Sequence, residues 1–228
     1  MLESPVLHVA NKNYSSWSLR PWVLLVELGI PFEERAHRFG PDQDFGRFSP
    51  SGTVPCLEDG DVRVWDSMAI AEYVAEDHPA VWPADRAARA WARSAAAEMH
   101  GGYSALRAQC SMSCGQRIRL HQVNEALERD LGRLDACFAD GLARFGGPFL
   151  AGAAFTAVDA FFAPVAFRIL TYDPPLAERS RAYAAHLRGL RSMEAWYEAA
   201  LAETHRDEPH ERDILRWGTV TADHRSTA

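Results

Sequence analysis

The chain opens with a short, largely apolar run at residues 5–10, and after a polar break Leu19, Trp22, Val23, Val26 and Leu28 recur at helical spacing until Gly29. The run predicts a buried strand, and the spacing predicts an amphipathic helix stopped by a glycine that tolerates the left-handed backbone. The stretch PFEERAHRF, 31–39, predicts a second strand, and a turn-rich segment at 40–52 brings the chain back. In VPCLEDGDVRVWD the Asp59-Gly60 pair lies between two apolar runs, a strong hairpin signal because both central turn positions favour residues that accept positive φ. Asp66-Ser67 then starts another helix, through Ile70, Tyr73 and Val74 to about His78. The order is β-α-β, loop, β-hairpin, α.

At 79–83 the sequence PAVWP breaks this pattern and predicts a linker. The reading is therefore of two domains, 1–80 and 84–228, the second helical in character. Two long helices are expected at about 85–112 and 116–145, with Gly146-Gly147-Pro148 ending the second. Thr156 and Asp159 form a capping box with a purely structural role. Pro164 marks a kink in the apolar run that follows. Further helices are expected at about 176–189 and 193–203. The tail after Arg206 is polar and is expected to be partly mobile, with Leu215 and Trp217 available to pin it.

Composition narrows the function classes. With 228 residues and 47% hydrophobic content, the chain can bury a sizeable core. A formal net charge of -7 without a basic stripe argues against nucleic acid. No apolar run approaches the length of a membrane span, and the start lacks the basic region of a secretion signal, so a cytoplasmic protein without a membrane partner is expected. Cys56, Cys110, Cys114 and Cys137 are too scattered for a disulfide framework. Cys110 and Cys114, four apart on an expected helix, lack partners at metal spacing, and the nine histidines form no metal motif, so no metal is expected. His8 is expected to be a satisfied core residue.

Three features of the first domain converge. Ser15 and Ser16 stand at a strand-to-helix turn, where a serine either caps the helix or, with the helix N-terminus, receives an anion. Val54-Pro55 lies where a loop enters a strand, which suits a proline that has no ladder N–H, in a cis turn or at a strand start whose edge can pair with an extended peptide. Asp66-Ser67 begins the next helix, where N–H groups and a hydroxyl can hold a carboxylate while Asp66 takes an amine. Together they predict a docking site for a small peptide-like zwitterion.

On SSWSLR, SPSGTVPCLEDG, WDSMAIAEYVAE and FLAGAAFTAVDAFFAP, in this order and spacing, the chain resembles the cytosolic glutathione S-transferases over nearly its whole length. The resemblance implies a thioredoxin-like domain followed by an all-helical domain, a homodimer, and glutathione as co-substrate in detoxification chemistry on a small hydrophobic electrophile. It makes Ser15 the thiol-activating hydroxyl of the serine-type classes, with Ser16 and Trp17 beside it. Val54 pairs with the cysteinyl backbone, Pro55 is the cis-proline, and Asp66 and Ser67 take the γ-glutamyl group. Arg38, Gln43 and Thr53 are alternatives for the glycyl carboxylate, and Tyr103, Arg107 and Cys110 are candidate electrophile contacts. A free thiol titrates near ~8.5, so lowering it by about two units, worth roughly 2.7 kcal/mol, raises the reactive thiolate more than tenfold.

Among the classes it looks nearest to the zeta type, whose SSC reads SSW here. Trp17 removes that thiol, which weakens a cis-trans isomerase of the maleylacetoacetate or maleylpyruvate type and cysteine-based reductase chemistry. No CxxC follows the first strand, which disfavours dithiol chemistry. Tyr14 is an alternative hydroxyl, and a non-catalytic binding protein of the same architecture is an alternative function.

Overall fold

In the computed structural model, which describes residues 4–227, β1 (Val6–Val9) is an inner strand of a four-stranded sheet of order β2-β1-β3-β4. Residues 1–3 and 228, the outer ends of the two expected domains, lie outside that range. β1 runs parallel to β2 (Glu33–Ala36) and antiparallel to β3 (Cys56–Asp59), which pairs with β4 (Val62–Trp65). Leu7, His8 and Val9 of β1 are buried, whereas β2 is exposed along its length and carries Glu33, Glu34 and Arg35, charges that blunt an open sheet edge. The hairpin forms as expected, but its turn is Gly60-Asp61, one residue later than the predicted pair, with Gly60 at φ +57.

α1 (Ser16–Glu27) stops where expected. Ile30 N–H bonds Leu25 O at 2.9 Å and Gly29 N–H bonds Val26 O at 3.1 Å, with Gly29 at φ +64, so the last carbonyls are satisfied through a left-handed glycine. α2 (Ser67–Asp77) begins at Asp66, whose side chain accepts from Met68 N–H at 2.7 Å. A 3-10 turn, Pro79–Val81, then leads to the helices of the second lobe.

The expected helix at 85–112 is instead two, α3 (Arg86–Gly101) and α4 (Ser104–Gln109). Between them Gly102 is extended and Tyr103 is left-handed at φ 52, and a Cβ at Gly102 would stand 2.7 Å from the Glu98 carbonyl oxygen. Residues 116–120, read as the start of a long helix, form a strand, β5 (Gln116–Leu120), and α5 (Glu125–Phe145) starts only after Asn124 caps it. The tail is not a loose end: α9 (Glu208–Trp217) leads into β6 (Gly218–Asp223), which pairs antiparallel with β5. Arg225 closes this ribbon, buried between Glu211 and Asp223 at 2.5 and 2.6 Å. The second lobe is thus helical with one two-stranded ribbon added.

α6 (Ala157–Tyr172) is buried almost throughout and continues through Pro164, packing against α1, α3, α7 (Glu178–Arg188) and β5. α8 (Arg191–Ala202) lies near its expected place. The capping box forms as read, and Asp159 does more than close it. Its carboxylate accepts from Leu150 N–H at 2.9 Å, Tyr183 O–H at 2.8 Å, Thr156 N–H at 3.0 Å and Thr156 O–H at 3.3 Å. Asp159→Ala leaves those donors buried and unpaired, so a loss of about 3–5 kcal/mol is expected from denaturant unfolding. Burial outweighs the four donors and lifts this carboxyl from 3.8 to about 6. The folded chain therefore holds an extra proton between those values: the stabilising contribution is full below the lower and lost as pH rises through the upper. Asp159→Asn should remove that part of the stability–pH slope.

Candidate functional site

The first domain carries a cleft of about 560 Å³, lined entirely by residues between Trp17 and Ser67. The cis Val54-Pro55 peptide forms one side, with Thr53 beside it, and Asp66 and Ser67 at the mouth of α2 form another. Trp17 from the first turn of α1 and the rings of Phe39 and Phe45 complete the apolar wall. Asp66, which lines the cleft, has a positive φ of 77 with ψ 136, a strained backbone for a residue other than glycine. Its carboxylate also stands 3.5 Å from His100 Nε2. The cleft thus offers a backbone edge, a helix N-terminus with a hydroxyl, and one carboxylate.

At the mouth of α1 the two serines divide their roles. Ser15 is the N-cap: its oxygen accepts from Ser18 N–H at 3.4 Å and its proton goes to Ser18 Oγ at 2.7 Å, which also accepts from Ala10 N–H at 3.2 Å. That hydroxyl ties the end of β1 to the helix start and is turned inward. Ser16 accepts from Arg168 Nη2 at 3.4 Å, and its own proton has no acceptor among the described residues. Neither serine is among the lining residues of the cleft, whereas the adjacent Trp17 is.

Charge around this turn is one-sided. The Arg20 guanidinium lies 4.2 Å above the Trp17 ring and that of Arg107 lies 5.3 Å from it. Burial, reinforced by Arg168 and Arg107, lowers Arg20 to about 9, and burial lowers Arg168 to about 10. Such groups still carry their charge at neutral pH. Arg20 Nη1 also donates to Ser67 Oγ at a long 3.5 Å.

Residues 14–77 match the glutathione S-transferase N-terminal domain family. That match covers the first domain, and the chain as a whole shares its fold with solved glutathione transferases. A glutathione transferase homologue from Burkholderia BGR1, solved with bound glutathione, superposes with a TM-score of 0.66 at 22% identity, over 87% of this chain and 98% of that one. A dichloromethane dehalogenase of Methylorubrum extorquens is 42% identical over 57 residues, 23% of this chain and 20% of its own length. Glutathione S-transferase Z1 of Arabidopsis thaliana is 53% identical over 38 residues, 17% of each chain. The matched region spans only about a fifth of these curated relatives.

Within this glutathione transferase fold the structure gathers Trp17, Thr53, Val54, Pro55, Asp66 and Ser67 at one cleft. Arg38 is exposed and Gln43 half-buried on the loop beside it, neither lining it, so of the three alternatives for a glycyl carboxylate only Thr53 does. Arg107 stacks toward Trp17, but Tyr103 is buried against Phe162 and Glu98, and Cys110 is buried at the end of α4. Burial pushes the Cys110 thiol up to about 12, and Cys114 lies beyond the helix that was expected to align the two. All four cysteines are free and buried. Tyr14, the alternative hydroxyl, donates to Glu211 at 2.6 Å, burial raises it, and it does not line the cleft. His8 is the core residue expected, buried and paired with His37 and Glu58.

Phe39, Phe45, Arg20 and Arg168 were not read from the sequence. Phe39 ends the stretch read as the second strand and Phe45 lies in the turn-rich segment, where no periodicity assigns a face. An arginine in an apolar helix, as Arg168 is, was the available signal for the last. Because Ser15 is a cap, Ser15→Ala should destabilise the fold by about 1 kcal/mol, seen as a lower denaturant midpoint. An unchanged midpoint would contradict its placement.

Proposed function

We propose that the chain is a glutathione transferase of serine type, nearest to the zeta class, which binds glutathione in the cleft of the first domain and ionises its thiol at the first turn of α1. The observation that carries this reading is the joint placement of cis Val54-Pro55 and the Asp66-Ser67 helix mouth around one cleft. An extended tripeptide there pairs its backbone with Val54, sets its γ-glutamyl carboxylate on Ser67 and the α2 N-terminus, and gives its amine to Asp66. The bound glutathione of the Burkholderia homologue supports the same assignment.

The sulfur then lies toward the positive end of α1, where the dipole and a serine hydroxyl favour the thiolate. Arg107 and the Trp17 face supply the side from which a small electrophile approaches. Conjugation and isomerisation share the same activated sulfur and differ only in the electrophile. A homodimer and a cytoplasmic location belong to the same reading, and sedimentation checks the first.

The test is calorimetric titration with glutathione, followed by turnover of an aryl halide against maleylacetoacetate. Binding with aryl-halide turnover is expected. Turnover of maleylacetoacetate alone selects the isomerase, and binding with an ordinary thiol pKa selects the non-catalytic protein. Ser67→Ala should weaken glutathione binding at least about tenfold, the scale of one charge-assisted hydrogen bond, with a smaller effect on kcat.

A further inference from the structure

The second lobe holds a pocket of about 380 Å³ that shares no lining residue with the cleft of the first domain. It lies where β5, α6 and the junction of α7 with α8 meet, and its size is at the lower end of the roughly 300–1,000 Å³ usual for small-molecule sites. Its apolar part is Met193 with the rings of Phe167 and Tyr197, which stack 24° apart at 6.0 Å between centroids. Its polar part is two guanidinium groups, Arg117 and Arg188, and two carboxylates, Glu194 and Glu198.

Arg117 is placed by the ribbon. The register of β5 against β6 shifts between Arg117 and Ile118, an irregularity of the kind that re-aims a side chain. Its guanidinium is then tethered: Nη1 donates to the Gln116 carbonyl at 2.8 Å and the Cys114 carbonyl at 3.3 Å, and Nη2 donates to the Tyr197 hydroxyl at 3.2 Å. Two carbonyls and a hydroxyl leave its charge unmatched. Arg188, the last residue of α7, has a buried Nε with no partner among the described residues. Burial and the Arg117 charge together hold Arg188 below its usual range, so two like charges face one space with no anion between them. Glu194 and Glu198 lie four apart on α8 and share one face. Both are exposed, whereas the two arginines are half-buried, so the inner side of the pocket is positive and the outer side negative. Among the described residues no ion pair joins either glutamate to either arginine.

We propose that this pocket is a second binding site, for a small aromatic amino acid, with its carboxylate on Arg117 and Arg188, its ring against Tyr197 and Met193, and its ammonium toward Glu194 and Glu198. The two oxygens of a carboxylate can accept from both guanidinium groups and give Arg188 Nε the acceptor it lacks. An aromatic ring gains more from an aromatic wall than its buried area alone supplies. A ligand with one charge of each sign answers both sets of side chains. A simple anion would be repelled by the glutamates, and a simple amine by the arginines.

The experiment is calorimetric titration of the full chain with L-phenylalanine and three analogues: 3-phenylpropionate without the ammonium, phenethylamine without the carboxylate, and glycine without the ring. L-Phenylalanine should bind saturably at one site per chain, and each analogue at least about tenfold more weakly, the scale of one charge-assisted contact. Saturating glutathione should leave that affinity in place. Arg188→Met should weaken L-phenylalanine at least about tenfold. Glu198→Gln should weaken L-phenylalanine and leave 3-phenylpropionate no weaker, a split that a merely structural change does not produce. No saturable binding of L-phenylalanine, its loss on saturation with glutathione, or binding untouched by Arg188→Met overturns the site. Equal affinity for 3-phenylpropionate overturns the ligand class. Should Arg188→Met fail to fold, the analogue series on the unaltered chain and the exposed Glu198→Gln variant still decide.

Discussion

Four donors converging on the Asp159 carboxylate hold the start of α6, and most of the second lobe is arranged by where that helix lies. A carboxylate inside a protein is unfavourable unless its lone pairs are matched, so the loop carrying Leu150, the cap at Thr156 and the ring of Tyr183 on α7 must all stand where they do. The helix that follows is apolar on every face, as a helix packed on all sides must be. Its axis runs beside α1, and two and a half turns on from Asp159 the same helix brings Arg168 to the first residue of α1. A cap in one lobe thereby fixes a charge at the first turn of α1 in the other.

That charge explains why the turn is built from small hydroxyls. Three guanidinium groups approach Trp17 and its neighbours, and like charges this close disfavour one another, which is part of why Arg20 titrates below its usual range. Flat guanidinium planes can stack on an indole face, so Trp17 accommodates Arg20 and Arg107 where an aliphatic side chain could not. Trp17 therefore does more than fill space at this turn. It suits a turn whose electrostatics are set by arginines.

Much of this was legible along the chain because it is written in local rules. Gly29 ends α1 through its backbone freedom, Asp66 caps the helix it precedes, and the Thr156-Asp159 spacing is a capping box both in sequence and in space. The misreadings occur where a local signal was overruled by a distant partner. Residues 116–120 are a strand because α9 and β6 return to cover them: Gly218 sits so close to Ile118 that a Cβ there would meet its Cγ2 at 2.4 Å. Nothing within either segment announces the other. The break after α3 has its cause in the strained pair Gly102-Tyr103, which helix propensity alone reads through.

The serine pair marks the limit of sequence reading most sharply. Ser15 and Ser16 are the same residue type one position apart, and family resemblance chooses the first. Yet the last residue before a helix and the first residue within it present their side chains differently: a cap must fold its oxygen back over the N–H two or three residues on, while the next side chain leaves the axis freely. Ser15 therefore closes the helix against Ser18, and Ser16 is free to serve another group. Whether that freedom has chemical meaning depends on what reaches it from α6, some 150 residues later. Arg168 does reach it, so a residue of the second lobe is bonded to the first residue of α1.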